Sequence, residues 1–562
     1  MKTLISVYAG DAAGYAFEPV FGGASAFERV LSWIAAVVSA GSCGTVGAAV
    51  VFVPSGYERS VRDALASKPL PVPVAVAAGD FAETAPFIAE LNRRAAGFDA
   101  VVHARGACPF YDEALTARVF ALHVRSAAEY TFADGWPEGF APCVIDTGTV
   151  AILAALAEKK SSPAANAAPV TNASPAANAS PAANASPVTR DVFFELMKGD
   201  INSFEIETLV SDEDMRQYRL DFACTSKAGL TACRRLFELT SCGAGDAHRL
   251  SADELAAKAV FSSAVLRTVP SFYNVQISSV CPGTCTYCPY PSAYRAKFGH
   301  DPAEAAALNP RCFMDIRQFS ELASRMADLS GEAVVALSAW GEPLAHPEFL
   351  RFIEAVLAHK GLSLLVETDG MAVMDALAGE VAAAAAKSAP RANGQAAVNW
   401  IVSLDAADES MYAAMRGAGT RTMPVRYGKA LDAVSVLERY FPRSVYAQFV
   451  RTTVNEAQLE TFYRGRKESG GLIIQKYDDF AGTLRNLKVA DLSPLVRNPC
   501  WHQRRDMVIL ADGSVPMCRE YLFDGICGNV FADSLENVWN RGKDMVYTDK
   551  CKACDEYYTF NF

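Results

Sequence analysis

The feature that most constrains this fold is a pattern from Ser271 onward, in which a strand-like run precedes each helix-like run. Six runs rich in β-branched and aromatic residues fit buried strands: FYNVQIS, AVVALSA, LSLLVET, VNWIVSL, VYAQFV and GLIIQK. Between them lie amphipathic stretches such as IRQFSELASRMADL and FLRFIEAVLAH, with apolar residues at helical spacing. This alternation predicts a parallel sheet with helices on its outer face, and ligands at the carboxyl ends of the strands.

The length, charge and cysteine content limit the classes of protein to which the chain can belong. Its 562 residues exceed what one hydrophobic core supports, so we expect several domains. The net charge is −11 and basic residues do not cluster, which argues against nucleic acid as a partner. Fifteen cysteines without a visible secretory signal indicate reduced thiols that hold metal, and we expect a cytoplasmic protein.

Two stretches of unusual composition lie in the N-terminal half. The most apolar window, residues 30–53, is interrupted by serine, glycine and cysteine, so it predicts a helix, a turn and a strand rather than a membrane span. Residues 161–189 repeat SPAANA-like units with almost no large apolar side chains. Such a segment cannot compensate its ordering entropy, so we expect a disordered insertion without chemistry of its own.

The first predicted strand runs directly into a loop that gathers three thiols. Cys281, Cys285 and Cys288 follow a CxxxCxxC spacing, with Tyr287 just before the last cysteine. Thiolates are soft ligands that select iron-sulfur clusters or zinc. A structural zinc site has four ligands, and no fourth candidate lies nearby, because we expect Cys312 to be a small buried residue. A cubane cluster on three cysteines would keep one iron open for an outside ligand.

This spacing, directly after the first strand of a β/α series, resembles the radical S-adenosylmethionine (radical SAM) superfamily. The resemblance implies an α/β fold with a partial (β/α)6 barrel and a 4Fe-4S cluster whose open iron binds SAM. It implies an enzyme in which reductive cleavage of SAM gives a 5′-deoxyadenosyl radical that abstracts hydrogen from a substrate. No catalytic residue follows from the resemblance, and we assign none.

Further motifs of this superfamily follow the later predicted strands. Gly341 and Glu342, in AWGEP, resemble the GGEP motif that meets the amino group of SAM, with tryptophan in place of the first glycine. Ser403 and Asp405, in SLDA, resemble a segment that approaches the ribose and methionine ends of SAM, and Arg416 lies in a similar RG segment. Each motif alone also fits an ordinary turn or helix cap. Their order after the cysteine loop favours a role in cofactor binding.

A second group of cysteines lies in the last part of the sequence. Their surroundings resemble the SPASM or twitch extension of radical SAM enzymes, in which a β-hairpin and a following helix carry an auxiliary 4Fe-4S cluster. The ADG triplet fits the turn of that hairpin. A four-cysteine zinc ribbon is the alternative. We expect Cys527 to be a packing residue or an alternative ligand, and the predicted ligands are Cys500, Cys518, Cys551 and Cys554.

The N-terminal region opens with a strand, a glycine-rich loop, a helix and a second strand, which is typical of nucleotide-binding α/β domains. Together with the segment ACPFYD it resembles, at low similarity, the GT-A-like fold of sugar-nucleotide cytidylyltransferases. The first metal-binding Asp of that family would fall at Ala107, and magnesium requires such an oxygen ligand. We therefore expect the fold without nucleotidyl transfer. Asp221 fits either the second metal-binding Asp or an ordinary polar residue at a strand end.

The whole arrangement resembles the spiro-SPASM protein family over nearly the full chain. The implied partners are a reductant such as flavodoxin or ferredoxin and, by analogy with other SPASM enzymes, a peptide or protein substrate, with neither nucleic acid nor membrane. Two alternatives stay open: radical modification of a nucleotide-linked sugar presented by the N-terminal domain, and a non-catalytic iron-sulfur protein for electron transfer or scaffolding. The predicted domains are 1–255, nucleotidyltransferase-like with the insertion at 161–189; 265–490, the radical SAM core; and 491–562, the SPASM-like domain.

Overall fold

The computed structural model describes residues 1–10, 14–161, 188, 191–241, 250–309, 311–391, 395–419, 425–467 and 471–559. The insertion predicted at 161–189 therefore lies outside the described residues, apart from its first position and Val188. The described chain forms two compact units, an N-terminal unit that ends at Thr268 and a C-terminal unit that begins at Val269. Every helix of the described ranges is too short or too polar to cross a membrane.

The N-terminal unit is built on a mixed sheet. Its strands are β1 (Lys2–Tyr8), β2 (Thr45–Pro54), β3 (Val74–Gly79), β4 (Ala100–Arg105), β5 (Tyr130–Asp134), β6 (Cys143–Asp146) and β7 (Ile206–Val210). They lie in the order β3-β2-β1-β4-β6-β5-β7. The first four strands run parallel, and β6 is antiparallel to both β4 and β5. This is the α/β organisation that the opening sequence indicates.

Helices cover this sheet through apolar faces. They are α1 (Ala26–Ala40), α2 (Glu58–Ser67), α3 (Thr84–Ala95), α4 (Glu113–Ser126), α5 (Thr147–Ser161), α6 (Val192–Met197), α7 (Lys227–Ser241), α8 (Ala252–Val260) and α9 (Ser263–Leu266). Helix α1 begins at a capping box formed by Ser25 and Glu28 and ends at Gly41, whose left-handed backbone closes the last turn. Phe52 on the sheet and Phe87 on α3 are fully buried in the resulting core.

The C-terminal unit contains the six strands predicted from the alternating pattern. They are β8 (Phe272–Val275), β9 (Ala333–Leu337), β10 (Leu362–Thr368), β11 (Val398–Ser403), β12 (Val445–Arg451) and β13 (Gly471–Lys476). A seventh strand, β14 (Asp506–Ile509), pairs with β8, and the sheet order is β13-β12-β11-β10-β9-β8-β14. All neighbouring strands are parallel. The prediction of a parallel β/α sheet is confirmed.

Two smaller strands and eleven helices complete the described part of this unit. β15 (Ser514–Pro516) and β16 (Ile526–Asn529) form an antiparallel pair. The turn predicted at ADG forms, but its two flanking strands do not pair with each other as a hairpin. The strand before the turn, β14, joins the large sheet, and the strand after it, β15, pairs with β16. The helices are α10 (Tyr290–Phe298), α11 (Ala305–Leu308), α12 (Ile316–Ser330), α13 (Phe349–Leu357), α14 (Asp375–Lys387), α15 (Glu409–Arg416), α16 (Tyr427–Tyr440), α17 (Leu459–Arg466), α18 (Trp501–Arg505), α19 (Leu535–Asn540) and α20 (Asp549–Ala553).

The two faces of the large sheet differ in chemistry because side chains alternate along each strand. One face packs against the helices in a continuous apolar core that includes Val335, Leu364 and Val402. The other face has an apolar layer near the start of the strands and a polar layer near their carboxyl ends. We call this set the polar layer: Asn274, Ser338, Glu367, Ser403, Gln448 and Gln475.

Candidate metal centres

The three thiols of the CxxxCxxC spacing lie on one loop that follows β8. Burial raises the pKa of Cys281 well above that of a free thiol, and the neighbouring Cys285 and Cys288 raise it further. Burial likewise raises the pKa of Cys288 to about 12. Backbone N–H groups two residues ahead of Cys281 and Cys288 point at their sulfurs. A shared cation would offset the mutual repulsion of these sulfurs in their thiolate form, and the amide donors at Cys281 and Cys288 would add to that stabilisation.

The predicted RG segment holds this loop in place. The N–H of Thr284 donates to the carbonyl oxygen of Arg416 at 3.3 Å, and the N–H of Thr286 donates to that of Met415 at 2.9 Å. Gly417 follows with φ +72°, and a Cβ atom there would lie 2.1 Å from Thr284 Oγ1. The end of α15 and the cysteine loop therefore meet backbone to backbone, and the motif needs its glycine for that approach.

Asp405 and Arg416, predicted separately as cofactor contacts, meet under the same loop. Asp405 is fully buried, and its Oδ2 accepts a hydrogen bond from the Tyr287 hydroxyl at 2.6 Å. Arg416 Nη1 lies 3.1 Å from the same oxygen and also bonds the Tyr287 hydroxyl. Asp405 Oδ1 accepts the N–H of Val450 at 2.7 Å. The sequence located Asp405 and Arg416 but gave no sign that Tyr287 links them.

Gly341 and Glu342 lie in the turn after β9. A Cβ atom at Gly341, where φ is +87°, would lie 1.9 Å from the carbonyl oxygen of Ser278, which belongs to the segment before the cysteine loop. The Glu342 carboxyl accepts from Thr368 Oγ1 at 2.7 Å and from the N–H of Asp369 at 2.9 Å. Burial, and then the charge of Asp369, raise the pKa of Glu342 well above its ordinary value. The turn thus brings a buried acid beside the cysteine segment.

Ser403 belongs to the polar layer of the sheet. Its hydroxyl donates to Gln448 Oε1 at 3.0 Å, and Gln448 Nε2 donates to Gln475 Oε1 at 2.5 Å. Glu367 lies in the same layer, where burial raises its pKa and the charges of Arg519 and Arg416 oppose that rise. The strand period places Glu367 on this face, but only the structure shows an arginine from the cysteine-rich C-terminal segment close enough to act on it.

The four cysteines predicted to hold an auxiliary cluster line one cavity. Cys527 is not among the residues that line it, and its thiol donates to the carbonyl oxygen of Gly525 at 3.7 Å. The sequence left Cys527 open as a packing residue or a ligand, and the structure places it on β16, apart from the others. The cavity is lined by Cys500, Cys518, Cys551 and Cys554.

Hydrogen-bond donors point at the sulfurs of this cavity, as they do at the first loop. Thr548 Oγ1 donates to Cys551 Sγ at 3.6 Å, and Gln503 Nε2 approaches the same sulfur at 3.8 Å. The N–H of Glu556 donates to Cys554 Sγ at 3.4 Å. Backbone N–H groups two residues ahead also serve Cys500 and Cys518. Donors of this kind orient and tune metal-bound thiolates.

Acidic and basic side chains form ion pairs next to Cys518 and Cys554. Arg519, next to Cys518, lies 2.9 Å from Asp478 with its guanidinium over the ring of Phe480. Lys488 lies 2.8 Å from Asp479 and 3.0 Å from Asp555. The carboxylates of Asp478, Asp479 and Asp555 lie within 4.8 Å of one another, close enough to hold an ion, but each has a cationic partner. These acids therefore balance lysine and arginine charges.

The two N-terminal residues considered for metal binding do not form a centre with each other. Ala107 is fully buried after β4, and its carbonyl oxygen accepts the N–H of Cys224 at 2.8 Å. Asp221 is exposed and forms an isolated parallel bridge with Glu138. Position 107 offers no carboxylate, as the sequence indicates.

Comparison with known proteins identifies one domain and one close relative. Residues 500–555 match the family model SPASM, described as an iron-sulfur cluster-binding domain. A Treponema pallidum (strain Nichols) protein, described as "Uncharacterized protein", is 35% identical over 381 residues, which is 66% of this chain and 98% of the relative. A second protein of that organism with the same description is 38% identical over 78 residues, so the chain spans only 36% of its length.

Solved structures give more distant likenesses. The complex "BtrN in complex with AdoMet and 2-DOIA" has a TM-score of 0.31 at 15% identity and covers 52% of this chain and 89% of that one. A cytidylyltransferase from Leptospira borgpetersenii has a TM-score of 0.33 at 11% identity and covers 46% of this chain and 93% of that one. TM-scores below 0.5 support no conclusion on fold or activity. The sequence comparison does identify a family, because the aligned region covers 98% of the 35%-identical relative. The chain belongs to the family of that Treponema pallidum protein, and its C-terminal unit carries a SPASM iron-sulfur cluster-binding domain.

Proposed function

We propose that this chain is a radical SAM enzyme with a SAM-binding 4Fe-4S cluster on Cys281, Cys285 and Cys288. The observation that carries the proposal is the gathering of these three thiols on one loop after β8, with amide donors at the sulfurs of Cys281 and Cys288. Cys281, Cys285 and Cys288 would hold the cluster, which would supply the electron for cleavage of the SAM sulfonium to the 5′-deoxyadenosyl radical that takes hydrogen from the substrate. Cys500, Cys518, Cys551 and Cys554 would hold an auxiliary 4Fe-4S cluster in the cavity that they line.

The loop has room for such a group. A Cβ atom at Gly283 would lie 3.3 Å from Cys285 Sγ and 3.9 Å from Cys281 Sγ, so the glycine keeps the space beside the sulfurs clear. The three sulfurs do not all lie within 4.8 Å of one another, whereas a tetrahedral zinc ion with bonds of about 2.3 Å would hold them about 3.8 Å apart. This spread favours a multi-iron cluster over a single zinc ion.

The surrounding side chains bind and orient SAM in this proposal. Arg416 has a buried Nε without a hydrogen-bond partner among the described residues, and that N–H is suited to a carboxylate. Gly341 and Glu342 would contact the amino group of SAM. Ser403 and Asp405 would approach its ribose and methionine ends, and Asp405 also holds Arg416 through Oδ2.

The test is anaerobic reconstitution of the full chain, with iron and sulfide counts and a 5′-deoxyadenosine assay after reduction with dithionite and SAM. Cys285→Ala should lose the first cluster and abolish 5′-deoxyadenosine formation, because an incomplete set of thiolates cannot hold the cubane. Cys312→Ala is the matched control, since Cys312 is a buried cysteine near the loop that packs in an apolar cluster. Cleavage by Cys285→Ala at the control's rate would refute the assignment.

The auxiliary site has its own pair of variants. Cys518→Ala should lose about half of the iron and keep the first cluster, whereas Cys527→Ala should keep all of it, because only Cys518 lines the cavity. Equal iron content in the two variants would overturn the choice of ligands. Full iron content without 5′-deoxyadenosine in the wild-type chain would support the alternative of a non-catalytic iron-sulfur protein.

The N-terminal unit, in this proposal, keeps a GT-A-like fold without nucleotidyl transfer. The side chain of Ala107 provides no oxygen ligand. A Cβ atom at Gly139 would lie 2.8 Å from the carbonyl oxygen of Phe222, so the two segments are tightly packed there. Phe140 and Phe222 stack at 5.3 Å, and Phe110 packs against both, so aromatic rings fill the region around the ACPFYD segment. Peptide or protein substrates and a flavodoxin or ferredoxin reductant remain the proposed partners. Binding of CTP with magnesium would favour the sugar-nucleotide alternative.

A further inference from the structure

We propose that Asp405 and Arg416 form a buried charge pair that sets the electrostatic potential at the cysteine loop, with Tyr287 as the link between pair and loop. The inference rests on the proposed function, because it concerns the cluster held by this loop. Asp405 and Arg416 are then positioning residues whose opposite charges tune the redox potential of that cluster.

The pair is shielded from water. Its charged atoms lie 3.1 Å apart, and the side chains of Arg416 and Asp405 are 8% and 0% exposed. Charges in such an environment act over longer distances than charges at a surface, because water does not screen them. The ion pair of Arg439 on α16 with Asp375 on α14 has side chains that are 63% and 57% exposed, so its charges act only locally.

Both members of the pair contact one residue of the cysteine loop. Tyr287, two residues from Cys285, bonds both members of the pair. The carbonyl oxygen of Arg416 also receives the N–H of Thr284. The pair is therefore attached to the loop through backbone and side chain alike.

Fold stability alone does not explain the pair. Removing two charges from water is unfavourable, and an apolar pair of similar volume often stabilises a fold equally well. Asp405 also adopts φ +60°, a left-handed backbone that is strained for a non-glycine residue. These costs fall on two residues beside a thiol of the cluster loop, which is where a fixed charge influences an iron-sulfur potential most.

The test is an EPR-monitored redox titration of the reconstituted full chain without SAM. A reduced cluster carries one more negative charge than an oxidised one, so a nearby cation favours reduction. Arg416→Gln should lower the midpoint potential of the first cluster, and Asp405→Asn should raise it. The matched controls are Arg439→Gln and Asp375→Asn, which remove the same charges from the exposed pair and should leave the potential within error of the wild type.

Opposite shifts in the two buried variants support the proposal, and unshifted potentials or shifts of the same sign overturn it. If a single variant fails to take up iron, the charge-balanced double variant D405N/R416Q decides. Restored iron content with a potential near that of the wild type supports charge compensation, and failure of the double variant to load overturns it. The wild-type 5′-deoxyadenosine assay reports separately on the proposed function.

Discussion

Gly417 lies where two functional segments touch, and its surroundings admit no side chain. With φ +72° and a Cβ position 2.1 Å from Thr284 Oγ1, Gly417→Ala must displace the cysteine loop. We expect a loss of about 2 kcal/mol in the free energy of unfolding and a lower iron content at the first site. Denaturant unfolding of the apo chain and EPR of the reconstituted chain measure the two effects.

Gly428→Ala is the matched control for this substitution. Gly428 lies near the start of α16 with no atom within 4 Å of its Cβ position. Alanine is the better helix former by about 1 kcal/mol, so this variant should be as stable as the wild type or more stable. Equal iron uptake by the two variants would mean that the loop does not need the close approach of Gly417.

Single residues also show how far sequence reasoning reaches. The spacing of Cys281, Cys285 and Cys288 places them on one loop, because so few residues separate them. The hydrogen-bond partners of Asp405 could not be predicted from the sequence, because Tyr287 and Val450 lie in distant segments that only the folded sheet brings together. The SLDA motif predicts a ligand contact for Asp405, and the structure adds the hydrogen bonds that its oxygens make within the protein.

Among the elements, the strands were the most predictable, because each is a run of β-branched and aromatic residues followed by an amphipathic stretch. This alternation of strand and helix predicts the parallel sheet, and alternating side chains along β9 to β12 place one face of it against the helices. β14 was not predicted as a member of that sheet, because its partner β8 is remote in sequence. The ADG turn, in contrast, could be predicted from the sequence, because a turn depends only on adjacent residues.

The contact between β13 and the cysteine-rich segment gives a prediction for whole elements. Lys476 ends β13, lies 3.1 Å from Asp555 and also bonds Glu556, just after Cys554. Burial opposes its charge, but these two carboxylates raise the pKa of Lys476 nonetheless. Lys476→Ala leaves Glu556 without this partner and should cost about 2 kcal/mol, with faster hydrogen exchange in residues 551–559.

Lys552→Ala is the control for this ion network. Lys552 pairs with Asp549 at 2.8 Å, but both side chains are largely exposed, so its loss should change stability by no more than about 0.5 kcal/mol. If both variants exchange at the wild-type rate, the network does not fasten the C-terminal segment to β13.

At the scale of the molecule, two units with separate cores predict two unfolding transitions. The cores of the N-terminal and C-terminal units share no residues. Clusters bind only folded C-terminal protein, so reconstitution should raise the temperature of one calorimetric transition and leave the other unchanged. The comparison is between apo and reconstituted wild-type chain under anaerobic conditions. A single transition, or equal shifts in both, would show that the units unfold as one.

The pairing of β8 with β14 has a consequence for how the protein is made. The strand β8, which leads into the loop of Cys281, Cys285 and Cys288, gains its outer neighbour only when residues 506–509 have been synthesised. Contacts so distant in sequence form late and slowly. Until then, that strand is an open edge on the ribosome. Cells that produce this protein would have to keep the nascent edge from aggregating, and iron delivered before translation has passed β14 would meet an unfinished sheet.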